Sequence, residues 1–285
     1  MKEKMHESRT LSQVVISVAN QKGGVGKTMT AVNLAAGIAS VFMRCKSKDS
    51  NVLLVDIDHQ ASATSYFVKN TSLEPMATIF KLYQVEEAAT APDIIYPTRV
   101  PCLYLLPSCN ELSANELFMA TYKMAPFRLK KFLQTQAMNF PIVIIDCPPS
   151  FNIYALSAFV ASDYILMPLT PLAESFDGVS LMYKFLINTP AIRDHIKILG
   201  YVITMLRERN TVHSSYKAAI KQRWGEDILA EIHDSADLHK SASLKSTIFE
   251  MAHGSRAYKE YTALSRRVLR LIASQIGLYV NGEEA

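Results

Sequence analysis

The stretch ANQKGGVGKTMTAVN, residues 19–33, combines glycine, lysine and threonine in the order of a phosphate-binding loop. It follows a β-branched run and precedes a helical pattern, which is the context in which such a loop binds phosphate. Glycines let successive backbone N–H groups converge on phosphate oxygens, and the N-terminus of the following helix attracts negative charge. We expect Lys27 to reach the β and γ phosphates of a nucleotide and the Thr28 hydroxyl to bind Mg²⁺. The predicted phosphate-binding residues are Gly23, Gly24, Val25, Gly26, Lys27, Thr28 and Met29.

A second lysine distinguishes this loop from the general pattern G-x-x-x-x-G-K-[ST]. Gln21 occupies the position of the first glycine, and Lys22 follows it, five residues before Lys27. One lysine is enough to bind the phosphates of a nucleotide, so Lys22 needs a different explanation.

Aspartates follow two other apolar runs. Asp146 ends the run in VIIDCPPS, where a carboxylate can hold a metal-bound water. Asp56 and Asp58 lie in DIDHQASAT, residues 56–64, and alternate residues of a strand point to the same side. One of these two can orient a hydrolytic water while the other supports the metal, although an aspartate that merely ends a strand is the simpler alternative. The predicted metal-site residues are Thr28, Asp146 and Asp56.

Strand and helix patterns alternate along the chain, which predicts an α/β fold: a doubly wound, mostly parallel sheet flanked by helices. The predicted strands are 14–19, 51–58, 103–106, 141–147, 163–169 and 198–204, and the predicted helices are 27–41, 127–139, 151–161, 175–188, 213–224 and 256–276. We predict one P-loop ATPase domain over residues 1–285, with flexible tails at 1–12 and 277–285.

Composition narrows the class of protein. Apolar residues make up 49% of the 285 residues and charged residues 20%, as in ordinary globular chains. No apolar run has the length of a membrane span and no secretory signal is evident, so we expect a cytoplasmic location. The four cysteines fit neither a disulfide framework nor a zinc site. Residues 193–285 carry fourteen Lys and Arg against eleven acids, which is compatible with solvated helix faces or with binding to a polyanion.

The segments KGGVGKT, DIDHQASAT and IVIIDCPP have the order and spacing of the ATPases with a deviant Walker A loop. The chain resembles the ParA family of DNA-partitioning ATPases from Val14 to about Leu271, including GYVITMLRERN at 200–210. The segment before the first strand is short, so we expect the Soj-like type without an N-terminal helix-turn-helix domain.

The resemblance implies roles for individual residues. Lys22 would reach across a nucleotide-sandwich homodimer to the phosphates bound by the partner subunit, which makes Lys22, Lys27 and Asp58 the catalytic residues. Asp58 corresponds to the aspartate that activates water, and Asp56 supports it. The adenine would lie against Thr204, Met205 and the segment Ile232–His233, with His233 as a binding residue.

The resemblance also implies partners: ATP and Mg²⁺ as cofactors, duplex DNA bound without sequence preference by the ATP dimer, and a ParB-like centromere-binding protein that stimulates hydrolysis. Such a protein associates with the nucleoid. Arg209 lies in the DNA-contacting arginine segment, and Lys240, Lys245 and Arg256 are the next candidates. Asp237 stands where chromosomal-type relatives often have an arginine, so we expect a rearranged DNA surface.

Three residues depart from the family pattern: His59, Ala61 and Ser62 stand where proline, glycine and asparagine are usual. Ala61 in place of glycine is expected to stiffen or re-aim the loop that carries Asp58. These changes bear on the rate of hydrolysis more than on nucleotide binding.

Two other branches of the superfamily are alternatives. A MinD-like positioning ATPase would need a basic amphipathic anchor for the membrane, but the last helical stripe is followed by GLYVNGEEA, which ends in two glutamates before the final alanine. We therefore expect no membrane partner. An iron–sulfur reductase would need two suitably placed cysteines, and only Cys147, beside Asp146, lies near the predicted site.

Overall fold

The apolar runs of the sequence form the strands of one sheet in the computed structural model, which describes residues 13–44, 51–68, 73–84, 92–137 and 139–276. The tails predicted at 1–12 and 277–285 lie outside the described residues. The eight strands of that sheet are β1 (Val14–Val18), β2 (Val52–Asp56), β3 (Tyr96–Pro97), β4 (Leu103–Leu106), β5 (Ile142–Asp146), β6 (Tyr164–Leu169), β7 (Lys197–Leu206) and β8 (Ile228–His233).

The sheet has the strand order β3-β4-β2-β5-β1-β6-β7-β8. All neighbours are parallel except β3 and β4, which are antiparallel. Every residue of the central strands β1, β2 and β5 is buried, because helices cover both faces of the sheet. The predicted fold class is confirmed.

The helices are α1 (Lys27–Arg44), α2 (Phe80–Gln84), α3 (Glu111–Thr121), α4 (Arg128–Thr135), α5 (Ile153–Ala161), α6 (Glu174–Asn188), α7 (Thr211–Trp224), α8 (Ala236–Ser243), α9 (Ile248–Met251) and α10 (Arg256–Ile272). Buried side chains of α1, α8, α9 and α10 pack against one face of the sheet, and those of α2 to α7 pack against the other. Among the described residues, none of these helices is both long and apolar enough to cross a membrane.

Alternate residues of each central strand enter opposite cores. In β1, Val15 packs on the side of α2 to α7, whereas Val14 and Ile16 pack on the side of α1 and α10. Helices α1 and α10 approach closely at Gly37, where a Cβ atom would lie 2.1 Å from the Ser265 hydroxyl. A glycine is therefore required for this contact.

The predicted helices all correspond to observed ones, with ends that differ by a few residues. The apolar stripe predicted near the C-terminus belongs to α10, where Tyr261, Leu264, Val268 and Ile272 are buried in the core and Leu271 is 49% exposed. Strands β3 and β8 and helices α8 and α9 were not predicted as elements, and α2 and α3 lie within residues 70–126, for which the sequence predicts an irregular region with short helices. The pairing of β7 with β8 is irregular at two places, which fits the weak strand pattern there.

Candidate nucleotide-binding site

Three neighbouring parallel strands bring the predicted site residues to one edge of the sheet. The loop after β1 leads into α1, while Asp56 ends β2 and Asp146 ends β5. Asp146 is paired in register with Asp56 on one side and with Val18 on the other. Because the carboxyl ends of parallel strands meet at one edge, the loop and both aspartates converge there, as ligand sites in open α/β sheets do.

The glycine-rich loop has the backbone shape of an anion-binding turn. Gly24 and Gly26 have φ angles of 72° and 81°, which residues with a side chain rarely adopt. Val25 is buried between them, so its side chain packs inward. The loop then enters α1 at Lys27, whose free N-terminal N–H groups face the same space.

Hydrogen bonds from neighbouring strands hold this loop. The Asn20 side chain donates to the Pro168 carbonyl of β6 at 2.8 Å and accepts from the Lys22 N–H at 3.0 Å. The Thr204 hydroxyl of β7 donates to the Val25 carbonyl at 2.8 Å. The loop is thereby fixed before any ligand binds, which lowers the entropic cost of binding. The sequence did not single out Asn20, although its place between strand and loop is a usable indication.

Lys27 is buried within the loop that it serves. It is 7% exposed, and its Nζ donates to the Lys22 carbonyl at 2.9 Å. Burial lowers the pKa of this amine, while the nearby acidic groups Asp146, Cys147 and Asp58 act in the opposite direction. A partly desolvated cation of this kind binds phosphate oxygens strongly.

Asp146 is the least satisfied polar group of the site. It is 1% exposed, and neither carboxylate oxygen has a hydrogen-bond partner of normal geometry among the described residues. Burial raises its pKa well above the usual range and adjacent Asp56 raises it further, whereas the Thr28 hydroxyl and Lys27 favour the charged form. An unpartnered buried carboxylate beside a hydroxyl fits a hard cation that takes oxygen ligands, so these residues fit Mg²⁺.

Asp56 is used for holding the loop that carries Asp58. Its Oδ2 accepts from the Thr64 N–H at 2.7 Å and from the Thr64 hydroxyl at 2.8 Å, and its Oδ1 accepts from the Asp58 N–H at 3.2 Å. Burial raises the pKa of Asp56 to about 7 in spite of these bonds. The sequence predicted that Asp56 supports the metal site. In the structure Asp56 lies beside Asp146, but both of its carboxylate oxygens accept hydrogen bonds from the loop that carries Asp58. Thr64, which the sequence did not single out, accepts in turn from the Ser108 N–H at 2.8 Å.

Asp58 lies at the mouth of the same edge. It is 9% exposed, and its Oδ1 accepts from the Gln60 N–H at 3.0 Å. His59 places Nδ1 at 3.6 Å from that same oxygen. Ala61, which ends the tight turn, is buried and has a φ angle of 49°. This is the left-handed region, so the alanine occupies a conformation that glycine adopts without strain.

A pocket adjoins the loop and collects the residues expected around adenine. One wall of the pocket is formed at the end of β7, where Met205 has a φ angle of 53°. At the end of β8, the Glu260 carboxylate fixes His233, with 2.6 Å between Glu260 Oε1 and His233 Nδ1. A largely apolar cleft with a few polar groups is suited to a flat base. Its lining residues include Gly26, Met29, Thr204, Met205, Ile232, His233, Leu238 and Tyr261.

Comparison with known proteins identifies the family. The AAA domain family matches residues 13–198, more than half of the chain. The sporulation initiation inhibitor protein Soj of Bacillus subtilis is 33% identical over 200 residues, which cover 70% of this chain and 75% of Soj. The chromosome partitioning protein ParA of Myxococcus xanthus is 28% identical over 259 residues, covering 90% and 88% respectively.

The chain belongs to the ParA family of partition ATPases. A plasmid partition protein from Borrelia burgdorferi, crystallised with AMPPNP, shares the fold with a TM-score of 0.71. It is 24% identical, and the match covers 93% of this chain and all of that one. The resemblance inferred from the three motifs is therefore confirmed.

The residue that distinguishes the ParA-type loop, Lys22, is placed apart from Lys27. Its side chain is 34% exposed, and its Nζ lies 3.4 Å from Oε2 of Glu174, the first residue of α6. Gly23 and Gly24 beside it are exposed as well. Lys22 thus contributes its backbone carbonyl to the local site, while its amine lies beside the Glu174 carboxylate. Nothing in the sequence pointed to Glu174 as its neighbour.

The four predicted DNA-binding residues of this ParA-family chain fall into two groups. Arg209, after β7, and Lys240, on α8, are exposed and form no ion pair with any described residue. Lys245 is exposed too, with its Nζ 5.6 Å from the centre of the Tyr66 ring.

Arg256 belongs instead to an ion-paired cluster at the base pocket. Its guanidinium donates to Glu208 Oε1 at 2.6 Å and to Glu260 Oε1 at 2.8 Å, and lies 2.8 Å from His233 Nε2. Two carboxylates therefore neutralise this cation, which makes it a poor phosphate contact. The structure places Arg256 beside His233, and its predicted contact with DNA stays a prediction.

Proposed function

We propose that this chain is an ATP-dependent dimerising switch that partitions plasmid or chromosomal DNA. The observation that carries the proposal is the division between two lysines of one loop. Lys27 is buried near the carboxylates of its own site, whereas the partly exposed Lys22 side chain places its amine 3.4 Å from the Glu174 carboxylate on α6. A partly exposed cation beside the phosphate loop suits a contact with phosphates bound by a second subunit.

In this proposal each residue of the site has one task. The backbone of the loop and Lys27 bind the phosphates, and Thr28 and Asp146 would hold Mg²⁺. When bound, the cation offsets phosphate charge. Asp58, at the mouth of the site, orients the water that attacks the γ-phosphate, and Asp56 and Thr64 keep its loop in place. Hydrolysis then removes the phosphate that the two subunits share, and the dimer separates.

DNA binding follows from dimerisation in the same proposal. A monomer presents Arg209, Lys240 and Lys245 as a small basic surface, and a dimer presents it twice in a fixed relation, so binding becomes strong only with ATP. The contacts are to phosphates, so affinity is indifferent to sequence and falls as salt rises. A ParB-like partner accelerates hydrolysis, and the ATP dimer resides on the nucleoid.

The membrane alternative has less support in the described residues. The apolar stripe of α10 is buried in the core, so this helix has no free apolar face to lay on lipid. The segment 277–285 lies outside the described residues.

The test is a DNA-binding series with ATP, ADP and no nucleotide, repeated at several salt concentrations beside sedimentation with anionic liposomes. We expect tight binding with ATP alone. The triple variant Arg209→Gln, Lys240→Gln and Lys245→Gln should lower the salt slope by about 0.9 for each phosphate that the protein no longer neutralises. Lys123→Gln with Lys131→Gln, two exposed lysines in the turn after α3 and on α4, is the control that removes charge at another surface. ATP-dependent pelleting with liposomes and none with DNA would reject the proposal.

A further inference from the structure

Arg99, in the turn between β3 and β4, joins two segments that are distant in the sequence. Its Nη1 donates to the Tyr66 carbonyl at 2.7 Å, and its Nη2 donates to the Lys245 carbonyl at 2.6 Å. Its Nε and Nη2 also donate to the two carboxylate oxygens of Glu250, on α9. The guanidinium lies over the Phe67 ring, 5.3 Å from its centre. Every nitrogen of this side chain therefore has a partner, although the side chain is 42% exposed.

The first of the two segments is the far end of the loop that carries Asp58. This end is a one-turn 3₁₀ helix, Thr64–Tyr66. Asp56 accepts two hydrogen bonds from its first residue, and Arg99 donates to the carbonyl of its last residue. The loop is thus held by a carboxylate on one side and by a guanidinium on the other.

The second segment is the turn between α8 and α9, which is itself well anchored. Lys245 has a φ angle of 52° there. The Glu250 carboxylate accepts from the Thr247 N–H at 2.8 Å, and the Thr247 hydroxyl accepts from the Glu250 N–H at 3.3 Å, which is a capping box. The Ile248 N–H donates to Asn33 Oδ1, on α1, at 2.8 Å. The turn therefore offers Arg99 a fixed point of attachment.

The chemistry of this joint suits positioning more than stabilisation. A half-exposed ion pair contributes little to folding, so the charge of Glu250 alone does not explain the arrangement. The planar fork of Arg99 can donate in several fixed directions at once, which the single ammonium of a lysine cannot do. A group that orients a reacting water must be placed closely, since a displacement of about 1 Å can slow a reaction about 100-fold.

We propose that Arg99 is a positioning residue for ATP hydrolysis, which keeps Asp58 in place by tying the far end of its loop to the turn around Lys245. The inference rests on the proposed role of Asp58 and adds a residue outside the phosphate loop and the base pocket. The same joint makes the loop and the turn move together. A displacement of the Lys245 turn therefore reaches the hydrolytic loop through the hydrogen bonds of one side chain.

The first test compares steady-state ATP hydrolysis with Mg²⁺ by the parent, Arg99→Gln and Arg99→Lys. We expect both variants to lower kcat about tenfold or more and to leave KM for ATP within about twofold, because Lys27 and the phosphate loop are unaltered. Arg99→Lys keeps the charge but loses the fork, so it should not restore kcat. The matched control is Arg193→Gln, an exposed arginine between α6 and β7 that pairs with Asp194, and it should change neither constant. Thermal unfolding verifies that each variant is folded.

The second test measures the joint itself by amide hydrogen exchange of the nucleotide-free protein, read by mass spectrometry. Arg99→Gln should accelerate exchange in both 61–68 and 244–251 and leave the phosphate loop, residues 20–30, unchanged. Glu250→Gln removes the charged partner but keeps the capping box, since glutamine also serves at that position. Combined with Arg99→Gln it should lower kcat no further than Arg99→Gln alone, because both changes act through one joint.

Four outcomes would overturn the inference. They are an unchanged kcat of folded Arg99→Gln, full activity of Arg99→Lys, a loss of activity that lies in KM alone, and faster exchange in only one of the two segments. Failure of the proposed function looks different, because Asp58→Ala would then turn over at the parent rate. Failure of this inference alone leaves Asp58→Ala inactive and Arg99→Gln active.

Discussion

Replacing Ala61 by glycine tests whether the loop that carries Asp58 is strained. Ala61 has a φ angle of 49° and is 1% exposed. Glycine relieves a left-handed conformation that costs an alanine about 1–2 kcal/mol. Against this, glycine gives the unfolded chain extra freedom worth about 0.4–1 kcal/mol, and about 0.8 kcal/mol of buried methyl is removed. These contributions nearly cancel, so the free energy of unfolding should change by less than about 1 kcal/mol.

The matched control is Ala35→Gly in the middle of α1, where the alanine is equally buried but helical. There glycine costs about 1 kcal/mol in helix propensity and about 0.8 kcal/mol in reduced burial, roughly 2 kcal/mol together. Urea unfolding of the nucleotide-free protein measures both, with unchanged m values as the condition for comparison. Equal destabilisation by Ala61→Gly and Ala35→Gly would refute the strain. Because Ala61 lies outside the phosphate loop, Ala61→Gly should alter the rate of hydrolysis and leave ATP affinity unchanged.

Three further predictions concern buried groups of the site. Asp146→Asn should leave the nucleotide-free protein at least as stable as the parent, because burial disfavours the charged carboxylate. The same change should lower Mg²⁺-dependent hydrolysis by two orders of magnitude or more, since removal of one electrostatic interaction costs about 3 kcal/mol. Thermal unfolding measures the first effect and a turnover assay the second. Burial raises the pKa of Asp56 to about 7, so the folded state binds this proton more tightly than the unfolded chain. The stability that the proton contributes is therefore complete below about pH 4 and is lost as the pH rises through 7. Asp56→Asn should flatten that part of the curve of unfolding free energy against pH, and an unchanged slope would contradict the raised pKa. Thr204→Val removes the bond to the Val25 carbonyl, so it should cost about 1 kcal/mol of stability and weaken ATP binding in a titration; equal ATP affinity would show that the bond does not shape the loop.

The central strands and the phosphate loop could be predicted because their causes are local. A strand buried on both faces is apolar throughout, as β1, β2 and β5 are, and a glycine-rich turn between strand and helix has few other uses. The sequence alone was enough to place Asp56 and Asp146 at strand ends, but it could not show that the two carboxylates have different roles. Thr64 makes two hydrogen bonds to Asp56, whereas the Asp146 oxygens have no partner of normal geometry among the described residues.

The surface charges were harder to predict, because their partners are distant in sequence. Arg256 pairs with Glu208, 48 residues earlier, and a linear pattern gives no sign of this contact. Conversely, Arg266 and Arg267 resemble an ordinary solvated helix face in the sequence. The packing of α10 on β8 shows that they line a surface groove, and the described residues of that groove include no acidic side chain. Strand β8 was not predicted, because an edge strand with irregular pairing has only a weak pattern of apolar residues.

Sedimentation equilibrium tests the central claim, that ATP joins two subunits through Lys22, most directly. The Asp58→Ala variant is used to prevent turnover, and it is compared with the same variant carrying Lys22→Ala, each with Mg²⁺ and either ATP or ADP. The subunit mass is 31.8 kDa. The account predicts twice this mass for Asp58→Ala with ATP, the single mass with ADP, and the single mass in both nucleotides once Lys22 is replaced. A monomer in every condition, or an ATP dimer that persists without Lys22, would contradict it.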